Sequence, residues 1–234
     1  MNDVLAVNHL SIRFGRTAVL RDVSFSVPAG TALAVIGPNG SGKTVLFRAL
    51  IGAIPYDGTV QWAHGVRIGY VPQKLDIERD VPVTGLDFLR AHPMRTARSQ
   101  ARELEVLALV GLSREASEQP IGALSGGQFQ RLLVAFALIG NPTVLLLDEA
   151  TAGVDEPGEE RLNELVHRLQ HEQRLTILLI SHELTIVSRY ADNVLCLSRE
   201  RSWCGPPKQI LTPDVLREMY GMPVAFHVHE PHEP

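Results

Sequence analysis

Three groups of residues in this chain have the types and spacing for phosphate chemistry. Gly37-Pro38-Asn39-Gly40-Ser41-Gly42-Lys43-Thr44 fits the spacing G-x-x-x-x-G-K-[ST]. Such a loop wraps phosphates in backbone N–H groups, brings the lysine to the β and γ oxygens and sets the threonine hydroxyl on Mg²⁺. Leu124-Ser125-Gly126-Gly127-Gln128 is a second glycine-rich stretch, followed by a helix-like run. Its chemistry is that of a helix N-terminus: N–H groups without intrahelical partners, a serine hydroxyl, and no Cβ to hold off an anion. Asp148-Glu149 closes a run of four apolar residues, Val144 to Leu147. The aspartate suits the Mg²⁺ shell of a phosphate site. Glu149 can polarise a water against the γ-phosphate, or is a solvated acid. One cradle explains nucleotide binding, whereas two in one chain need a further reason. With Gly near 7% in average usage, chance would place the second pentapeptide on the order of once in several thousand chains.

Strand-like and helix-like segments flank each group. Leu10, Ile12 and Phe14 alternate before Gly15-Arg16, and Val23, Phe25 and Val27 alternate after it, which predicts an antiparallel hairpin. Ala32 to Ile36 is an unbroken apolar strand entering the first loop. Thr44 to Leu50 then opens a helix with Val45, Leu46, Ala49 and Leu50 inward. Strand, glycine loop and helix is the context a phosphate loop requires. Gly58 to Gln61 and Val66 to Val71 are short strands. From Val83 to Leu112 the texture is helical, with Leu104, Leu107 and Ala108 as the apolar stripe and Gly111 at the stop. Gln130 to Ile139 is helix, broken by Asn141-Pro142. Leu162, Leu165, Val166 and Leu169 mark another helix, and Thr176 to Ile180 a strand ending at Ser181-His182. Strands alternating with helices predict a mostly parallel sheet, with ligands at the carboxyl ends of its strands.

The 234 residues, 45% hydrophobic, suffice for one large domain or a domain with an inserted lobe. A net charge of −4 with no basic stripe excludes bulk nucleic-acid binding as the expected role. Cys196 and Cys204 are expected to be reduced thiols. Met1-Asn2-Asp3 leads straight into a strand pattern, so no export signal is expected. The longest apolar stretch, Leu132 to Ile139, is far short of the ~20 residues a bilayer span needs. A membrane role is therefore expected to run through a partner.

With both cradles in view, the chain resembles the nucleotide-binding subunit of ATP-binding cassette (ABC) transporters, from Val4 to about Gly221. The resemblance implies an α/β fold: a P-loop NTPase (RecA-like), mostly parallel sheet core, with an antiparallel β subdomain and an inserted helical lobe. It places the ATP-binding domain at 1–222, the lobe at about 83–135 and a His/Glu/Pro-rich tail at 223–234. It also implies Phe14 as the ring stacked on adenine, where composition alone leaves a hairpin core residue. Gln73, in Val71-Pro72-Gln73, matches the glutamine loop that touches Mg²⁺ and the attacking water. Asp155 matches the loop crossing a dimer interface, and by position also suits the N-cap of the helix carrying Leu162. His182 matches the histidine contacting the γ-phosphate, where a lone His otherwise reads as structural. ATP and Mg²⁺ are the implied ligands. The implied assembly is a head-to-tail homodimer in which the loop of one copy faces Ser125 and Gly127 of the other. It would sit on an integral membrane permease at the cytoplasmic face of the inner membrane, served by an extracytoplasmic metal-binding protein.

Some positions depart from the family pattern. Ala150 stands where Pro is frequent, Phe136 where Arg is frequent, and Ala152-Gly153-Val154 where Ser-Ala-Leu is usual. None removes a phosphate, Mg²⁺ or water contact. Within the family the chain looks most like the zinc or manganese uptake group. The features behind this are Leu124 to Leu133, the segment Leu211-Thr212-Pro213 through Tyr220-Gly221, and a tail with His227, His229, Glu230, His232 and Glu233. That tail is a loose metal site or a plain polar tail. Arg90, Arg95, Arg98 and Arg102 either meet a permease helix or form a solvated basic face. An importer of an iron chelate or other solute is the alternative. A soluble ABC ATPase of DNA repair or translation usually needs two cassettes, a coiled coil or basic patches, and a GTPase needs N-K-x-D; this chain has none of these.

Overall fold

The computed structural model describes residues 3–73, 75, 81–94, 99–151 and 154–221. Arg95, Arg98, Ala152, Gly153 and the histidine-bearing tail lie outside them. The chain divides into two compact units. Met1–His64 with Leu178–Pro234 forms one and Gly65–Ile177 the other.

In the first unit, β1 (Asp3–Phe14) and β2 (Thr17–Pro28) form the expected hairpin, and β4 (Asp57–Trp62) pairs antiparallel with β1 on its other side. The alternation works as read for Leu10, Ile12, Val23, Phe25 and Val27, all buried. Phe14 departs from it: at the strand end it is 52% exposed, which removes the core reading. β3 (Ala32–Ile36) is buried at every residue because it runs through the middle of its sheet. It pairs in parallel with β8 (Asn193–Leu197), from Leu33↔Asn193 to Ile36↔Cys196, and β9 (Ser202–Gly205) closes the edge antiparallel to β8. The second half of β7 (Thr176–Ile180) lies on the other side of β3. α1 (Lys43–Leu50) buries Leu46, Phe47, Ala49 and Leu50. Phe47, not Val45, completes its inner face. α7 (Leu184–Tyr190), α8 (Pro207–Ile210) and α9 (Pro213–Tyr220) cover the sheet, with Val187, Leu216 and Met219 packed around Ala34, Ile36, Val194 and Cys196. Cys196 and Cys204 are free thiols.

In the second unit, β5 (Ile68–Val71) pairs in parallel with β6 (Val144–Asp148), from Ile68↔Val144 to Val71↔Leu147. The start of β7 follows on, Thr176 N donating to Thr143 O at 3.1 Å. The α-helices among the described residues of this unit are α2 (Gly85–Arg90), α3 (Ser99–Leu109), α4 (Arg114–Ser117), α5 (Gly126–Ile139) and α6 (Glu156–Gln173). The apolar stripe expected on α3 is corrected. Leu104 is 43% exposed and Ala108 is exposed, whereas Glu103, Val106, Leu107 and Val110 are buried. Glu103 hides the true stripe from an apolar count. It is almost fully buried because Arg90 pairs with it at 3.5 Å, and a buried carboxylate requires such a partner. Arg102 donates to the Leu138 carbonyl at 2.7 Å and pairs with Glu105. Arg90 and Arg102 therefore hold the helices of this unit together. Phe136 stacks on Phe88, centroids 4.6 Å apart, and meets the His92 ring edge-on at 4.7 Å.

Candidate functional site: two phosphate cradles and an acidic strand end

The first cradle belongs wholly to the first unit. As β3 ends, Gly37 turns at φ +156, and a Cβ there would collide with the Leu197 carbonyl and lie 2.7 Å from Ser41 Oγ. Gly42, at φ +97, has Leu20 Cδ2 only 2.7 Å from where a Cβ would stand. The backbone can pass only with glycine at both points. Lys43 is buried, and its Nζ donates back to the carbonyls of Gly37 at 2.8 Å and Pro38 at 3.2 Å. The ammonium is thus held within the loop made by Asn39, Gly40 and their neighbours. α1 begins at Lys43 without a side-chain cap, so its first N–H groups point into the loop, where an anion satisfies them. Ser41 Oγ is buried with no hydrogen-bond partner. An orphaned hydroxyl, an uncapped helix end, an enclosed ammonium and the Thr44 hydroxyl together fit a triphosphate with its Mg²⁺. In the same unit, Ser181 N donates to Val35 O at 3.3 Å. That bond carries exposed His182 beside the strand that feeds the loop. Phe14 stands at the hairpin tip of this unit.

The acidic strand end belongs to the second unit. Asp148, the last residue of β6, is 1% exposed, and Tyr70 Oη donates to its Oδ2 at 3.1 Å. Glu149 follows in the left-handed region, φ +48, a conformation that costs a non-glycine residue about 1–3 kcal/mol and gathers at functional sites. The Gln73 side-chain amide donates to Glu149 Oε2. A hard carboxylate at Asp148 and a glutamine amide are oxygen donors of the kind Mg²⁺ accepts. Strand alternation gives Tyr70 no chemical signal, so its bond to Asp148 comes from the structure alone.

The second cradle opens α5. Ser125 is its N-cap: Ser125 Oγ accepts from Gln128 N at 3.2 Å, and Gln128 Oε1 accepts from Ser125 N at 2.9 Å. This reciprocal pair is a capping box with S-x-x-Q spacing. Ser125 is exposed, and Gly126 and Gly127 in the first turn are half-buried. Among the described residues, a Cβ on Gly127 would meet Val154 Cγ1 alone, at 3.7 Å. Asp155 takes the N-cap position of α6, yet makes no side-chain cap bond there. Its Oδ1 instead lies over Gly158, 2.6 Å from where a Cβ would be. Ser125, Gly127, Asp155, Arg131 and Arg161 line one concavity of about 430 Å³ in this unit. Spacing along the chain does not show that Ser125 and Asp155 share it.

Residues 20–152 match the model of the ABC transporter family. The zinc import ATP-binding protein ZnuC of Roseobacter denitrificans is 41% identical over 92% of this chain and 83% of its own length. The ZnuC of Cereibacter sphaeroides is 40% identical over 93% of this chain and 88% of its own. Among solved structures, the ADP conformation of MJ1267, an ATP-binding cassette of an ABC transporter, superposes with a TM-score of 0.83 at 25% identity, covering 94% of this chain and 99% of that one.

Proposed function

The chain belongs to the ABC transporter family as an ATP-binding, ATP-hydrolysing subunit, and from that premise we propose that it powers a zinc importer. The observation that carries the cargo is identity of 40–41% to zinc import proteins over more than nine-tenths of the chain. The glycine loop is what a triphosphate needs, and Phe14 offers an open ring for adenine. Thr44 of the first unit, and Asp148 and Gln73 of the second, are the residues that would offer oxygen ligands to Mg²⁺, which would supply neutralisation of phosphate charge. Glu149 takes the proton as a water oxygen attacks the γ-phosphorus, and the bond to the β–γ bridging oxygen breaks. Gln73 holds the Glu149 carboxylate and the water in line. His182 donates to the γ-phosphate, and Lys43 turns from its carbonyl partners to the phosphate oxygens.

The second cradle serves ATP bound by another copy. Gly127 supports this reading, because the described residues of its own chain leave room for a side chain there. Two copies arranged head to tail would give each triphosphate a loop from one and Ser125, Gly126, Gly127 and Gln128 from the other, with Asp155 beside the junction. Among the described residues no helix is long and apolar enough to cross a membrane. As in an ABC importer, coupling to transport falls to an integral permease, fed by an extracytoplasmic metal-binding protein. The test is ATP turnover by the permease complex in vesicles. Zinc presented by its binding protein should stimulate phosphate release. Stimulation by manganese, by an iron chelate or only by a non-metal solute would reassign the cargo.

A further inference from the structure

The nucleotide chemistry does not use two histidines on α6. His167 and His171 stand at i and i+4, one turn apart on one face. Their ring centroids are 4.2 Å apart with planes inclined by 32°. His171 Nδ1 lies 3.0 Å from the His167 carbonyl oxygen. A carbonyl can only accept, so Nδ1 carries the proton and Nε2 of His171 holds the lone pair. Metal-binding imidazoles are oriented in this way, one ring nitrogen donating to a backbone carbonyl so that the other is fixed as a ligand. His171 is exposed and His167 half-buried, so an ion in solution can reach the pair.

We propose that His167 and His171 form a two-imidazole chelate for a divalent transition-metal ion of the zinc type. Zinc–imidazole bonds of about 2.0–2.1 Å at a tetrahedral angle place two nitrogens about 3.3 Å apart, a spacing that rings 4.2 Å apart can reach by side-chain rotation. No group of three or more His, Cys, Asp or Glu suited to a metal occurs among the described residues. Water therefore fills the remaining positions, and the ion exchanges freely. Imidazole donors favour zinc and copper over magnesium, so the pair does not compete for the ion that accompanies ATP. The clamp would close the last two turns of α6, the helix whose first turn carries Gly158 under Asp155. The site is independent of which solute the complex moves.

The test uses the full chain with His227, His229 and His232 replaced by alanine, so that tail imidazoles contribute nothing. Zinc chloride is titrated into it by calorimetry, and its thermal unfolding is followed with and without zinc. We expect one zinc per chain. At zinc about 100-fold above Kd, the unfolding midpoint should rise by roughly 5–10 °C. His171→Ala and His167→Ala should each weaken binding at least tenfold and cut the rise by about half or more. His171→Gln, which keeps size and polarity, should do the same, so a packing defect is not the cause. Zinc uptake and midpoint shift that survive His171→Ala and His171→Gln undiminished overturn the proposal. So does a parent chain that takes up no zinc at about 1 mM.

Discussion

Gln73 donates its side-chain amide to the carboxylate of Glu149, and the strand register explains why the two meet. Val71 pairs with Leu147 on adjacent parallel strands. Each chain then runs two residues further, through Pro72 on one side and Asp148 on the other. The glutamine and the glutamate therefore leave their strands at the same level. Glu149 takes left-handed backbone, φ +48, where its side chain meets this partner.

That contact makes Glu149→Gln a clean probe. The amide is nearly isosteric and does not disturb buried Asp148 or Tyr70. The variant should bind ATP and associate into dimers, yet release phosphate roughly 10²–10⁴-fold more slowly, the range for loss of a positioned base. Phosphate release at the parental rate would remove Glu149 from that role.

Gly127→Ala separates folding from function. Among the described residues of one chain the new methyl meets Val154 alone, at ordinary contact distance. Alanine in a helical turn is also favoured over glycine by about 1 kcal/mol. The unfolding midpoint should hold or rise. ATP turnover should fall at least tenfold, but by less than the ~10³–10⁵ seen for loss of a trans-acting arginine. A variant that unfolds more easily would instead place the need for glycine within the chain's own packing.

Phe14→Ala tests the adenine platform. The ring is 52% exposed and contributes little to the hairpin core, so stability should change by less than about 0.5 kcal/mol, as for an ordinary surface substitution. Losing base stacking, worth about 1–3 kcal/mol, should raise KM for ATP roughly tenfold while kcat stays near parental. An unchanged KM would return Phe14 to the surface residues without a ligand.

The legible parts of the sequence were those in which local pattern and burial agree. Ala32 to Ile36 is apolar throughout because β3 has neighbours on both sides, and the loop after it has spacing that only phosphate chemistry explains. Legibility failed where a polar residue does a core residue's work. On α3, Glu103 lies in the buried stripe under Arg90, so counting apolar residues selected Leu104, which faces water. Phe136, a departure from the family pattern, became intelligible only with Phe88 and His92 stacked against it. Asp155 sits at the expected cap position without making the cap bond, since its carboxylate turns over Gly158. Tyr70 carries no motif, and its bond to Asp148 depends on two strands distant in sequence.

His92 gives the second unit a pH dependence whose sign can be worked out. Its ring packs edge-on against Phe136, and the resulting loss of solvent holds the imidazole below its ordinary 6.5. The folded chain therefore resists the proton that the unfolded chain accepts. The contribution to stability is fully present above pH 6.5 and is lost as pH falls below it toward the lowered folded value. Denaturant midpoints for the parent should decline between neutral pH and pH 5. In His92→Leu, which keeps an apolar contact with Phe136 and cannot titrate, that part of the decline should disappear. A slope as steep in His92→Leu as in the parent would assign the acid sensitivity to other groups, with Phe136 packing unaffected by the charge on residue 92.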